Sequence, residues 1–191
     1  MTEQFTTKRL ILRPPVPADA ERVAELMSEK DLPWNLGRAP WPYALEDAHA
    51  WIQAATEARA ANADYPFVVC TPEIGLIGSC GVVPVTEEIC ELGYWIGKPY
   101  WSQGYVTEAA EGVLDWARTE LNIDQFVSGH INDNPASGRV LMKLGFSPAG
   151  PVTHYVRARD CDVEATRYVL GAPADIAIES AAHYKRPQDA T

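Results

Sequence analysis

Two short stretches of this chain combine residue types and spacings that could do chemistry. The first is Trp101-Ser102-Gln103-Gly104-Tyr105-Val106-Thr107, placed between the apolar run Leu92 to Gly97 and a helical pattern. A strand that runs through a glycine turn into a helix makes an anion site. The first N–H groups of the helix have no intrahelical partner, and the helix dipole adds partial positive charge. Gly104 would let the backbone approach a ligand closely. No Gly-Lys-Ser/Thr follows and G-x-G-x-x-G is absent, so the stretch is neither a P-loop nor a dinucleotide fingerprint. A packing turn is the competing reading. The second stretch is Asn134-Pro135-Ala136-Ser137, whose Asn and Ser lie three apart at a helix start and read first as caps. It comes directly after the glycine loop and its helix. If parallel pairing splays the two strands apart, both helix starts face one cleft.

The elements that must hold these stretches follow from periodicity. Lys8 to Arg13 (KRLILR) reads as a first strand, broken by Pro14, Pro15 and Pro17. Ala20, Val23, Ala24 and Met27 share one helical face, with Asp19 at the cap position. Asp31 to Tyr43 has no period and is rich in Pro, Gly and Trp, an ordered loop with aromatic anchors. A second helix runs from Leu45 to Ala60 with Ala48, Trp51, Ile52, Ala55 and Arg59 on one side. Pro66 to Thr71 and Leu76 to Val85 form a hairpin about Pro72-Glu73-Ile74-Gly75, and Ile89 to Gly97 is a further strand. Ala110, Val113, Leu114, Ala117 and Leu121 mark an amphipathic helix after the glycine loop. Gln125 to Ile131 is strand-like; Pro135 opens a helix that carries Val140, Leu141 and Leu144 inward and stops at Gly145. A short strand from Phe146 and a last one from Val163 to Leu170 complete the order. One α/β (α+β) domain over residues 1–171 is expected, with a mixed central sheet of about seven strands and about four helices, then a tail, 172–191, with one short helix around Ala174 to Ala182.

Composition narrows the function. Sixteen basic against 26 acidic side chains give a net charge of −10, which opposes nucleic acid as a partner and suits a cationic substrate such as an amine. Solubility alone is the plainer account of that charge. No uncharged apolar run is long enough to cross a bilayer, and MTEQFTTKRL lacks the core of a signal peptide, so cytoplasmic residence without a membrane partner is expected. Cys70, Cys80, Cys90 and Cys161 form no C-x-x-C pair and read as small buried hydrophobes; their spacing to histidine fits no metal site.

The opening KRLILRP, the strand ELGYWIG, the loop WSQGYVTEA and N-x-x-S followed by KLGF together resemble the GNAT superfamily of acyl-CoA-dependent N-acetyltransferases. Within it they look most like the RimJ/RimL ribosomal-protein N-terminal acetyltransferases. The resemblance runs from Thr7 to Leu170. The family's six-residue pyrophosphate loop usually begins with Gln or Arg and ends Gly-x-Gly or Gly-x-Ala. Here it begins with Trp101 and ends with Val106, which need supply only a backbone N–H. The resemblance implies a sheet splayed between the fourth and fifth strands and acetyl-CoA as cosubstrate, with no metal. Trp101, Ser102, Gln103, Gly104, Tyr105, Val106 and Thr107 would cradle the pyrophosphate. Trp95 and Ile96 would pair with the pantetheine arm, Asn134 and Ser137 would face it, and Arg139 and Lys143 would meet the 3′-phosphate unless they are merely solvated charges.

Acetyl transfer from a thioester to an amine needs a neutral amine, an oxyanion donor and a proton for the leaving thiolate. The resemblance implies the backbone N–H of Ile96 as oxyanion donor and Ser137 as acid. The tyrosine that many relatives use falls at Leu141 here. Glu91, on the strand entering the cleft, would take the amine proton through a water or hold a cationic amine. No covalent intermediate is required, so Cys80 and Cys90 need not be nucleophiles. Glu87 and Glu88 read as solvent charges, His130 as structural, and His49, His154 and His183 have no supporting neighbours in the sequence. An α-amine titrates at about 7.7–8.0 and lysine at about 10.4, so near neutral pH far more of an α-amine is already neutral. A site without a strong base therefore favours an α-amine, of a peptide N-terminus or of a small molecule. Trp34, Asn35, Arg38, Trp41 and Tyr43 are the expected acceptor-side residues, and a monomer or homodimer is expected. The alternative is a non-catalytic module that binds acyl-CoA and senses it.

Overall fold

The structure is a computed structural model and describes residues 3–174. Eight strands make one sheet: β1 (Phe5–Thr6), β2 (Ile11–Arg13), β3 (Tyr65–Thr71), β4 (Gly75–Pro84), β5 (Ile89–Ile96), β6 (Gln125–Ile131), β7 (Ser147–Val156) and β8 (Cys161–Leu170). Their order across the sheet is β1-β2-β3-β4-β5-β6-β8-β7. Every neighbouring pair is antiparallel except β5 and β6. Four helices flank it: α1 (Ala20–Met27), α2 (Leu45–Ala60), α3 (Tyr105–Glu120) and α4 (Pro135–Lys143).

Each face of the sheet is covered by one helix pair. Val113, Leu114, Trp116 and Ala117 of α3 and Leu141 of α4 pack on Phe67, Ile77, Val82, Leu92 and Phe126. On the other face Val23 and Leu26 of α1 and Ile52 of α2 pack on Val68 and Leu76. The alternation of inward residues along β3 explains both, since successive side chains leave a strand on opposite faces. The Phe67 and Trp116 rings meet edge to face, with centroids 4.9 Å apart, the arrangement aromatic quadrupoles favour.

The pairing of β5 with β6 is short. Ile89, Cys90 and Glu91 match Gln125, Phe126 and Val127, and no pairing follows. Beyond that point the Ser128 hydroxyl reaches the Leu92 carbonyl oxygen at 2.9 Å, and the strands diverge. This is the splay expected between the fourth and fifth strands, counted from the strand over Lys8 to Arg13, which does not include β1.

Four expectations are corrected. The first strand expected over Lys8 to Arg13 begins only at Ile11, and an unexpected strand, β1, precedes it: the chain turns at Thr7–Leu10, where Thr7 N–H donates to Leu10 O at 2.9 Å. Arg9 is drawn off the ladder because its backbone N–H donates to the Glu108 carboxylate at 2.7 Å. Asp19 holds the N-cap position of α1 as expected, but its side chain makes no cap bond there. Its carboxylate accepts two bonds from Arg13, at 2.8 and 2.7 Å, and one from Val16 N–H at 2.8 Å, so it closes the short 3-10 turn Pro17–Asp19 instead. The strand after Phe146 is ten residues long, not short; Pro148, Gly150 and Pro151 hide its period, and an edge strand tolerates them. The sheet therefore has eight strands rather than seven, and the last, β8, lies between β6 and β7. The tail helix expected around Ala174 to Ala182 lies, after Ala174, outside the described residues.

Candidate active site

The glycine loop ends as a helix start. Gly104 sits at φ 79°, ψ 2°, a left-handed conformation that suits glycine. Helix α3 begins at Tyr105, and its first intrahelical bond runs from Glu108 N–H to Gly104 O at 3.1 Å. The amides of Tyr105, Val106 and Thr107 thus precede the hydrogen-bonded ladder at the positive end of the dipole. Arg9 braces this turn, a role absent from the sequence reading. Its guanidinium donates to Gln103 O at 3.0 Å and to Glu108 at 2.6 Å, and lies 4.6 Å from the Tyr105 ring centre. Burial pulls the Glu108 carboxyl up, but hydrogen bonds from Thr7 and Arg9 outweigh it and leave it below the ordinary value. The Gln103 side chain turns back to Pro99 O at 3.2 Å.

The splayed edge of β5 faces the same space. Backbone groups of alternate residues leave a strand on the same edge. Gly97 N–H donates to Ile77 O of β4 at 2.8 Å, whereas Leu92 O accepts from Ser128 of β6. Odd-numbered residues therefore point to β4, and the backbone groups of Tyr94 and Ile96 point into the gap. The Trp101 indole N–H donates to Ile96 O at 2.5 Å, which ties the loop to that strand end and leaves the Ile96 N–H facing the gap.

Helix α4 brings the second start. The Asn134 side chain accepts from Ser137 N–H at 3.4 Å, so it caps the helix. The Ser137 hydroxyl lies 2.9 Å from the Tyr94 hydroxyl, which also donates to Ser137 O at 3.2 Å. Burial pushes the Tyr94 phenol well above its ordinary range despite the bond from Ser137, so the phenol stays neutral. Tyr94 was missed in the sequence; its signal was its phase, two residues before Ile96 on the same side of β5. Close packing of α4 on β6 depends on Gly138, where a Cβ would lie 2.5 Å from His130 Nε2. Leu141 is fully buried, and Arg139 and Lys143 stand exposed one turn apart.

One cavity of about 750 Å³ joins these parts, within the range of small-molecule sites. Trp95, Ile96, Trp101, Ser102, Gly104, Tyr105, Val106 and Thr107 line it, as do Asn134, Ser137, Arg139 and Lys143. Glu91, 6% exposed, also lines it, as do His154 and Asn35. Gln103 is not among the lining residues, and neither are Trp34, Arg38, Trp41 and Tyr43. Tyr43 packs on the α1/α2 core, where burial, with Asp47 adding, pushes its phenol up to about 12. Trp34 lies between Lys30 and Arg159, whose charged groups sit 4.0 and 5.4 Å from its ring centre. The Nε2 of His154 stands at ordinary contact distance, 3.6 Å, from where a Cβ at Gly129 would be.

The family model for the GNAT acetyltransferase domain matches residues 9–147. An uncharacterized N-acetyltransferase, p20, of Bacillus licheniformis is 25% identical over 160 residues, covering 82% of this chain and 89% of p20. The ribosomal protein uS5-alanine N-acetyltransferase of Escherichia coli strain K12 is 24% identical over 164 residues, 80% of this chain and 82% of that enzyme. Among solved structures, RimL, a ribosomal L7/L12 alpha-N-protein acetyltransferase in complex with coenzyme A, superposes with a TM-score of 0.77 at 16% identity, over 91% of this chain and all of that one. With the matched model spanning the glycine loop, the splayed strands and the start of α4, the chain belongs to the GNAT acetyltransferase family and is an acetyl-CoA-dependent N-acetyltransferase.

Proposed function

We propose that the chain acetylates an α-amine by the RimJ/RimL route, with one domain over residues 1–171 doing both binding and chemistry in the cytoplasm. The observation that carries this reading is the splay beyond Glu91 and Val127, which aims the starts of α3 and α4 and the free edge of β5 into one cavity. The pyrophosphate of acetyl-CoA sits over the amides of Tyr105, Val106 and Thr107. Its pantetheine amides pair with the edge of β5 at Tyr94 and Ile96, as a further strand would. Asn134 faces the arm from the other side, and Arg139 and Lys143 are placed for the 3′-phosphate.

The acceptor nitrogen then attacks the thioester carbonyl carbon. A C–N bond forms while the carbonyl oxygen gains charge, and the Ile96 N–H stabilises it. Collapse breaks the C–S bond, and the sulfur takes a proton from the Ser137 hydroxyl, which regains one from solvent. Glu91, directly or through water, receives the proton that leaves the nitrogen. No side chain becomes covalently attached. The α-amine is favoured over lysine because a far larger fraction of it is neutral near pH 7 without help, and the relative from Escherichia coli is named as a ribosomal protein uS5-alanine N-acetyltransferase. The α-amine can belong to a peptide N-terminus or to a small amine, and thiol release from acetyl-CoA against both kinds separates them. A non-catalytic sensing role has no comparable support, since the named relatives are N-acetyltransferases. Thermal unfolding with CoA tests the site first. Ligand at about 100 times its Kd stabilises the fold by about 2.7 kcal/mol, and a melting temperature unmoved by saturating CoA removes the proposal.

A further inference from the structure

The acceptor side of the cavity has a roof, and one guanidinium holds it in place. Leu32, Asn35, Leu36 and Gly37 line the cavity from the loop between α1 and α2, while His154 and Val156 line it from β7. These segments belong to opposite sides of the splay. Arg159, in the β7–β8 turn, joins them. Its Nε donates to Trp34 O at 2.8 Å, and its two terminal nitrogens donate to Asp133 at 2.6 and 3.1 Å. The same fork reaches the Asn35 side-chain oxygen at 3.5 Å. Two residues earlier, Arg157 N–H donates to Gly37 O at 3.0 Å. The Arg159 side chain is 11% exposed although Asp133 is 62% exposed, so it is enclosed by the segments it ties. Asp133 immediately precedes Asn134, the cap of α4.

From this we infer that Arg159 is a specificity-determining positioning residue. It straps the 32–37 loop across the splay and sets the width of the passage through which the amine reaches Glu91 and the thioester. A fork of three hydrogen bonds to a carboxylate and a main-chain oxygen is directional, and lysine cannot reproduce it. A roofed passage admits the acceptor end first and discriminates against bulk beside the amine. The inference rests on the acceptor being an amine that enters from this side, as proposed above, but the strap itself is testable without turnover.

Arg159→Ala and Arg159→Lys are compared with the wild type in two measurements. The first is hydrogen exchange of the free proteins. Protection should fall in 32–37 and in 157–160 together, more in Ala than in Lys. The second is thiol release from acetyl-CoA with two tripeptide amides, Ala-Ala-Ala and Trp-Ala-Ala. The ratio of kcat/KM for the Trp peptide to that for the Ala peptide should rise about tenfold or more in Arg159→Ala, with the KM for acetyl-CoA within about twofold of wild type. A role in stability alone would lower both kcat/KM values together and leave the ratio fixed. Unchanged exchange in the loop, an unchanged ratio, or a Lys variant identical to wild type overturns the inference. If the wild type acetylates neither peptide, the peptide-acceptor form of the reading fails, and the exchange result alone decides whether Arg159 holds the loop.

Discussion

The Tyr94 hydroxyl carries one hydrogen, and its direction governs what Ser137 can do. Donated to the Ser137 hydroxyl oxygen 2.9 Å away, it leaves the serine hydrogen free to face the sulfur of the cosubstrate. Donated to Ser137 O at 3.2 Å, it leaves the serine to bond back to the phenol. Tyr94→Phe removes the choice. It should lower kcat by about tenfold, and Ser137→Ala by about a hundredfold, each with the CoA dissociation constant nearly unchanged. Measured unfolding free energies show whether Ser137 acts only at the helix start, where loss of a cap costs about 1 kcal/mol. A full-rate Tyr94→Phe enzyme would mean that the phenol only packs. The sequence made Ser137, Asn134 and Glu91 visible because each sits beside a helix start or on a strand of clear period. Tyr94, Arg9 and Arg159 were hidden because their roles depend on partners 43, 99 and 125 positions away.

At the scale of elements, two joints hold the site in shape. One is the clamp of the β1–β2 turn on the first turn of α3, through Thr7, Arg9 and Glu108. The folded Glu108 carboxyl lies below its ordinary value. Its contribution is therefore complete above the unfolded pKa and is lost as pH falls through the lower, folded one. Urea unfolding of wild type and Glu108→Gln should differ at pH 7 and converge as pH falls below about 4; a gap that stays constant would remove the carboxylate from the account. The other joint is α4 on β6. Gly138→Ala puts a methyl 2.5 Å from His130 Nε2 and 3.1 Å from the Tyr168 hydroxyl. Overpacking of this kind costs about 1–3 kcal/mol, to be read from the urea midpoint, and a neutral Ala variant would show that His130 moves freely. Helices and buried strands were legible because their apolar residues recur at one period. The β7 edge was not, since Pro148, Gly150 and Pro151 break the alternation and only pairing with β8 restores it.

For the whole molecule, the class of fold followed from the order of elements, but the insertion of β8 between β6 and β7 did not. Nothing local in β8 distinguishes a neighbour of β6 from an edge strand. That insertion carries the turn with Arg159 against Trp34 and Asn35, and of the loop from Asp31 to Tyr43 expected on the acceptor side, Asn35 lines the cavity and Trp41 does not. The central claim is that the glycine loop, the β5 edge and the start of α4 form one acetyl-transfer site. Its most direct test is steady-state thiol release from acetyl-CoA with an N-terminal peptide amine, for wild type and Gly104→Val side by side. A β-branched residue at φ 79° is strained by about 1–3 kcal/mol and crowds the helix amides, so both proteins are assayed well below their melting temperatures. The account predicts one thiol released per amine acetylated by the wild type, and a KM for acetyl-CoA raised about tenfold or more in the variant. A wild type that releases no thiol with any amine, or a folded variant that matches it, would contradict the account.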